Sequence, residues 1–123
     1  MPDKKIPDKE SLLKIYEQML RIRLFEQKAT ELFAQGLVTG SMHLYIGEEA
    51  IAATAGELLR KTDTITSTHR GHGHCIAKGG KTDRMMAELL GRSNHSCGPE
   101  VPPSSCLFFR PWLCSGHGPC ECL

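Results

Sequence analysis

From Ser11 to Phe33 the apolar residues Leu12, Ile15, Tyr16, Met19, Ile22, Phe25, Ala29, Leu32 and Phe33 return at α-helical spacing, with Lys14, Glu17, Gln18, Arg21, Lys28 and Glu31 largely between them. A helix of that length carries an apolar stripe that other chain must cover. Asp8 is placed to cap its start by accepting from first-turn amides, and Gly36 can take the left-handed conformation that closes it.

The rest of the first 92 residues offers little to do the covering. Gly36 to Gly47 sustains no period and reads as irregular chain. A second helix is expected from Glu48 to about Lys61, opening with two carboxylates at the positive end of its dipole and finishing with Arg60 and Lys61 at the negative end. Thr64-Ile65-Thr66-Ser67-Thr68 is short and β-branched, which predicts a buried strand. After His69-Arg70-Gly71-His72-Gly73-His74 comes a short helix stopped by Gly79-Gly80. A last helix runs from Thr82, a good N-cap, through Met85, Met86, Leu89 and Leu90 to Gly91. This is the pattern of an α/β protein, mostly helical in the portion present, whose parallel sheet has barely begun. One strand cannot make a sheet. The core is therefore expected to be incomplete or shared with another subunit.

Composition narrows the function. A chain of 123 residues has room for one small domain. Its net charge of +1 and lack of any Lys/Arg stripe leave no electrostatic footprint for nucleic acid. No stretch reaches the roughly 18 apolar residues of a membrane span. The start, Met1 to Lys14, lacks a secretory apolar region and carries Asp3, Asp8 and Glu10, unlike an acid-poor transit peptide. The expected compartment is the cytoplasm, where structural disulfides are disfavoured.

Two segments carry candidate chemistry. Thr68-His69-Arg70-Gly71-His72-Gly73-His74 directly follows the expected strand, and strand ends are where α/β folds bind ligands. Arg70 offers a planar fork suited to phosphate oxygens, and the glycines at 71 and 73 let backbone approach a ligand. His69, His72 and His74 can donate to phosphate or move protons. A surface loop with idle histidines is a second reading. A metal site is a third, although no carboxylate or cysteine accompanies the histidines at ligand spacing. Cys75, flanked by Ile76 and Ala77, suits a buried packing thiol. The other segment is Gly40 to Ala50, where His43 stands in irregular chain leading to a helix N-terminus. There it can be aimed into a cleft, or it can cap or pack.

Taken together, Leu13-Lys14-Ile15-Tyr16 through Arg21-Ile22-Arg23, His43-Leu44-Tyr45-Ile46-Gly47-Glu48-Glu49-Ala50, Asp63, Thr68-His69-Arg70-Gly71-His72-Gly73 and Ala87-Glu88-Leu89-Leu90-Gly91-Arg92 resemble the N-terminal region of the α subunit of thiamine-diphosphate-dependent E1 dehydrogenases. That family includes the pyruvate, branched-chain 2-oxo acid and acetoin dehydrogenase E1 components. The resemblance runs from about Ser11 to Arg92. Thr68 to His74 is more similar to the acetoin and bacterial pyruvate types than to the mitochondrial ones, where tyrosine fills the position of His69.

The resemblance implies a thiamine-diphosphate-binding fold, with His69 and Arg70 on the cofactor diphosphate and His43 at the cofactor and substrate end of the cleft. It makes His43 and His72 the expected catalytic residues and His43, His69 and Arg70 the expected cofactor-binding ones. It also implies oxidative decarboxylation or cleavage of a 2-oxo compound, an E1 β subunit as partner and a lipoyl group on E2 as acceptor, the cofactor being the electron sink. The family holds Mg2+ on the diphosphate through a Gly-Asp-Gly motif and a later Asn. Neither stands in this chain, so no metal ligand is expected from it.

The composition changes abruptly after Arg92. Charged residues number 26 in the first 92 positions and 3 in the last 31, while five of six cysteines and five of seven prolines fall in the latter. Residues 1–92 are thus expected to be a truncated α-subunit domain, inactive alone, and 93–123 a disordered, sticky tail from another reading frame. The family's next motif, Gly-Lys-Gly-Gly-Ser-Met-His, does not appear. The alternative is a helical docking protein whose tail binds zinc through Cys97, Cys106, Cys114, His117, Cys120 and Cys122, although their spacings match no finger pattern.

Overall fold

The computed structural model of the chain describes residues 7–38, 41–60, 62–63, 65, 67 and 69–91. Four helices lie among them, α1 (Lys9–Ala34), α2 (Glu49–Leu58), α3 (His72–Ala77) and α4 (Thr82–Leu89). The 26 residues of α1 span about 39 Å. Its first turn is capped as expected, with Asp8 Oδ1 accepting from the Ser11 N–H at 2.9 Å. Its end is a Schellman closure: Gly36, at φ 73°, donates to the Phe33 carbonyl at 2.9 Å, and Leu37 donates to the Leu32 carbonyl at 3.1 Å.

The second half of α1 supplies the core. Ile22, Phe25, Glu26 and Ala29 follow the i, i+3, i+4, i+7 rule and are buried. Tyr45, Ala52, Cys75, Ile76 and Met85 complete the cluster. The three shorter helices all pack on α1, and α2 also packs on α3. Two glycines make those contacts close. A Cβ at Gly56 would stand 2.7 Å from Ala77 Cβ, and one at Gly73 would stand 2.5 Å from Tyr45 Cδ1.

Several sequence expectations need correction. The second helix stops at Leu58, so Arg60 does not complete its last turn. Arg60 instead donates its N–H to Asp63 Oδ2 at 2.9 Å and its Nε–H to Asp63 Oδ1 at 3.1 Å, a local bond that replaces the helical ladder. Lys61 lies outside the described residues. Thr82 is the first helical residue, not the cap; extended Lys81 precedes it without a side-chain cap bond. The helix after the histidine cluster begins at His72, so half of that cluster is helical.

The α/β expectation is met only in its helical part. No strand occurs among the described residues; Ile65 and Ser67 lie in irregular chain, and Thr64, Thr66 and Thr68 lie outside the described set. A β-branched segment without a neighbouring strand has no ladder to join. A further apolar face of α1, beside the stripe that builds the core, is uncovered. Leu13, Tyr16, Leu20 and Leu24 share a face of α1 and remain 58%, 58%, 45% and 64% exposed. No described helix is long and apolar enough to cross a membrane.

Candidate functional site

The segment entering α2 and the segment entering α3 meet beside α1. In the first, Tyr45 is buried under Gly73, while His43 is exposed. The Leu44 carbonyl between them accepts from Arg70 Nη1 at 3.1 Å. That bond joins the two segments, and the rings of His43 and His69 come edge to face with centroids 4.8 Å apart and planes at 76°. Glu48 Oε1 lies 3.6 Å from Arg70 Nη1, with both side chains partly open to solvent.

This corner can take an anion. A guanidinium has five N–H donors in a fixed plane, and the bond to Leu44 engages only one terminal nitrogen. Glu48 is the competitor. Its distance and exposure make it a weak partner that an incoming phosphate can displace.

His72 and His74, from the same sequence cluster, have different neighbours. His72 begins α3 and is buried, with Nδ1 2.7 Å from Glu26 Oε1 and its ring edge-on to Phe25 at 5.5 Å. His74 is half-buried, edge-on to Tyr45 at 5.4 Å, and burial pushes its imidazole below the usual histidine range. His43, His69 and Arg70 are thus brought together, whereas His72, expected to share catalysis with His43, faces α1. The cause is the early start of α3, which takes His72 out of the loop and onto the core side of a helix.

Sequence reasoning missed Arg23, Glu26 and Glu49. It read Glu48 and Glu49 alike, as carboxylates at a helix start, but they do different things. Glu49 is buried, accepts from Gly47 N–H at 3.1 and 3.0 Å, and pairs with Arg23 Nε at 2.5 Å. The Arg23 hydrogen bond outweighs desolvation and holds the Glu49 carboxyl at about 2. The available signal was Glu26, a charge at a core register position of α1 between Phe25 and Ala29. Among the described residues no three or more His, Cys, Asp or Glu stand together as a metal site. The tail cysteines and His117 lie outside the described residues.

The sequence profile of the dehydrogenase E1 component family matches residues 17–103, past the expected boundary at Arg92. The chain is similar to the α subunit of the acetoin:2,6-dichlorophenolindophenol oxidoreductase of Bacillus subtilis, 56% identical over 88 residues, covering 72% of this chain and 26% of that protein. The protein of the same name from Cupriavidus necator is 48% identical over 90 residues, covering 73% and 27%. The pyruvate dehydrogenase E1 component subunit alpha of Rickettsia prowazekii is 36% identical over 118 residues, covering 95% and 36%. The chain thus spans about a quarter to a third of the length of these curated relatives. No solved structure matches.

Proposed function

The chain belongs to the dehydrogenase E1 component family, and on that premise we propose that it is part of an α subunit that binds the diphosphate of thiamine diphosphate through His69, Arg70 and His43. The reaction served is oxidative cleavage or decarboxylation of acetoin or a 2-oxo acid of the pyruvate type, in the cytoplasm, with an E1 β subunit and a lipoyl-bearing E2. One observation carries the reading: Arg70 and His69 converge with His43 from 26 residues away, bonded through Leu44.

The donor set fits the group. One guanidinium and two exposed imidazoles are the hydrogen-bond donors and positive charge that two linked phosphates require, and no carboxylate but Glu48 is described against Arg70. When bound, thiamine diphosphate supplies the nucleophilic carbon and the electron sink. In this chain Arg70 anchors a phosphate without proton transfer, because a guanidinium stays protonated. His43 and His69 orient the same end and can donate to its oxygens. His72 has no proton-transfer step in this proposal: its ring is held on Glu26 and faces α1. Mg2+ belongs to the reading, with its ligands from residues that this chain lacks.

The exposed stripe of Leu13, Tyr16, Leu20 and Leu24 supports a β subunit as the missing cover for α1. On the composition change at Arg92 we read residues 1–92 as the family portion and the remainder as another reading frame, against which stands the family match that runs on to residue 103. Translating the other two frames of the gene decides that point, since Gly-Lys-Gly-Gly-Ser-Met-His soon after the Arg92 codon is expected and its absence ends the frameshift account.

The cofactor reading is tested by calorimetric titration of the chain with thiamine diphosphate and with inorganic diphosphate. Arg70→Met should cost roughly tenfold or more in affinity for both ligands. Equal affinity in the variant removes Arg70 from the site and the proposal with it. Mixed with a β subunit, thiamine diphosphate and Mg2+, the chain should show no turnover; measurable turnover contradicts its inactivity.

A further inference from the structure

Arg23 and Glu26 stand three residues apart on α1 and so project from the same side of the helix. Arg23 reaches Glu49, the first residue of α2, whose carboxylate also holds the Gly47 N–H. Glu26 reaches His72, the first residue of α3, at 2.7 Å. The residues just upstream of those two helix starts carry the candidate site: His43 and Leu44 before α2, His69 and Arg70 before α3.

Glu26 is an expensive way to join two helices. It is fully buried, and its Oε2 has no hydrogen-bond partner. A leucine there would continue the face of Ile22, Phe25 and Ala29 without a desolvated carboxylate. What a carboxylate adds is direction, because a hydrogen bond fixes the distance and orientation of one ring nitrogen while apolar packing does not. Arg23 applies the same constraint to α2 less than one turn away.

We propose that Arg23 and Glu26 are positioning residues: acting through Glu49 and His72, they set the separation between the His43 segment and the His69–Arg70 segment. The identity of the ligand held there rests on the thiamine diphosphate reading, but the positioning does not.

The test uses the whole chain with Glu26→Leu, Glu26→Gln and Arg23→Met. Three quantities are measured: the thermal midpoint, the NMR cross-relaxation between the His43 and His69 rings (assigned with His43→Gln and His69→Gln), and affinity for inorganic diphosphate. Glu26→Leu leaves His72 Nδ1 buried without its partner, so it is expected to melt below the wild-type temperature while still folding, and to lose the ring-to-ring signal and roughly tenfold in diphosphate affinity. Glu26→Gln keeps an oxygen acceptor for Nδ1–H and should restore both. Arg23→Met should weaken both. Retention of the ring signal in Glu26→Leu and Arg23→Met overturns the proposal. So does its absence in the wild-type chain, or unfolding of both variants, which would make the pairs structural only. If the wild-type chain shows the ring signal but binds no diphosphate, the cofactor reading falls and the ring signal alone decides the positioning.

Discussion

Replacing Glu49 with glutamine should destabilise the fold at neutral pH and leave it indifferent at low pH, and the structure sets the size of the effect. The Glu49 carboxyl is held at about 2 against an ordinary 4.5, chiefly by the Arg23 hydrogen bond. A folded value below the unfolded one means that the stabilisation is complete above pH 4.5 and is lost as pH falls through the range from there toward 2. At about 1.4 kcal/mol per pH unit, the full gap corresponds to roughly 3 kcal/mol. That is an upper figure, since Arg23 is 44% exposed and water screens the pair; about 1–2 kcal/mol is the expected share. Glutamine keeps the acceptor for the Gly47 N–H and removes only the charge. In urea titrations followed by circular dichroism, the variant's midpoint should therefore fall by about 0.5–1 M at pH 7. The gap between the two chains should shrink to less than half by pH 3 and close near pH 2. Asp8, Glu10 and Asp63 are also held below the ordinary range, but they are common to both chains and cancel in the difference. A gap between the chains that stays constant from pH 7 to pH 3 would refute the reasoning, because it would show that Glu49 contributes through shape and not through its ionised pair.

The contact of Gly73 with the Tyr45 ring gives a second prediction. An added Cβ would meet three ring atoms within 2.8 Å, and Tyr45 is 1% exposed. Gly73→Ala should lose about 1–2 kcal/mol after the gain in helix propensity is counted, seen as a fall of several degrees in the melting midpoint. An unchanged midpoint would mean that Tyr45 is free to move.

What could be read from the sequence divides along physical lines. α1 was legible from end to end because its signals are local: a period of 3.6, Asp8 before it and Gly36 after it all act within a few residues. The end of α2 was not, because Asp63 captures the Arg60 N–H and no pattern of apolar residues reports that competition. The expected strand is not seen at its described residues, Ile65 and Ser67, for the opposite reason. Its propensity was read correctly, but propensity for a strand is a preference for a ladder, and a ladder requires neighbours.

The candidate site shows the same division at higher resolution. Thr68 to His74 was legible as one cluster, since three histidines and an arginine fall close together in the sequence. The structure divides it by helical phase: residues 69 and 70 join His43, while 72 and 74 turn toward the core. The helix expected after His74 begins at His72, and that shift of three residues decides which histidines face a ligand, a shift within the error of any boundary read from sequence. Arg23 and Glu26 were harder still, because their importance lies in pairings 26 and 46 residues away. Glu26 alone left a trace, a carboxylate on a face that should be apolar. A charge at a core position is costly unless it is paired, so such a residue predicts a partner even when it does not name it. Here the partner was His72, and the same observation explains why His72 does not stand at the surface beside His69.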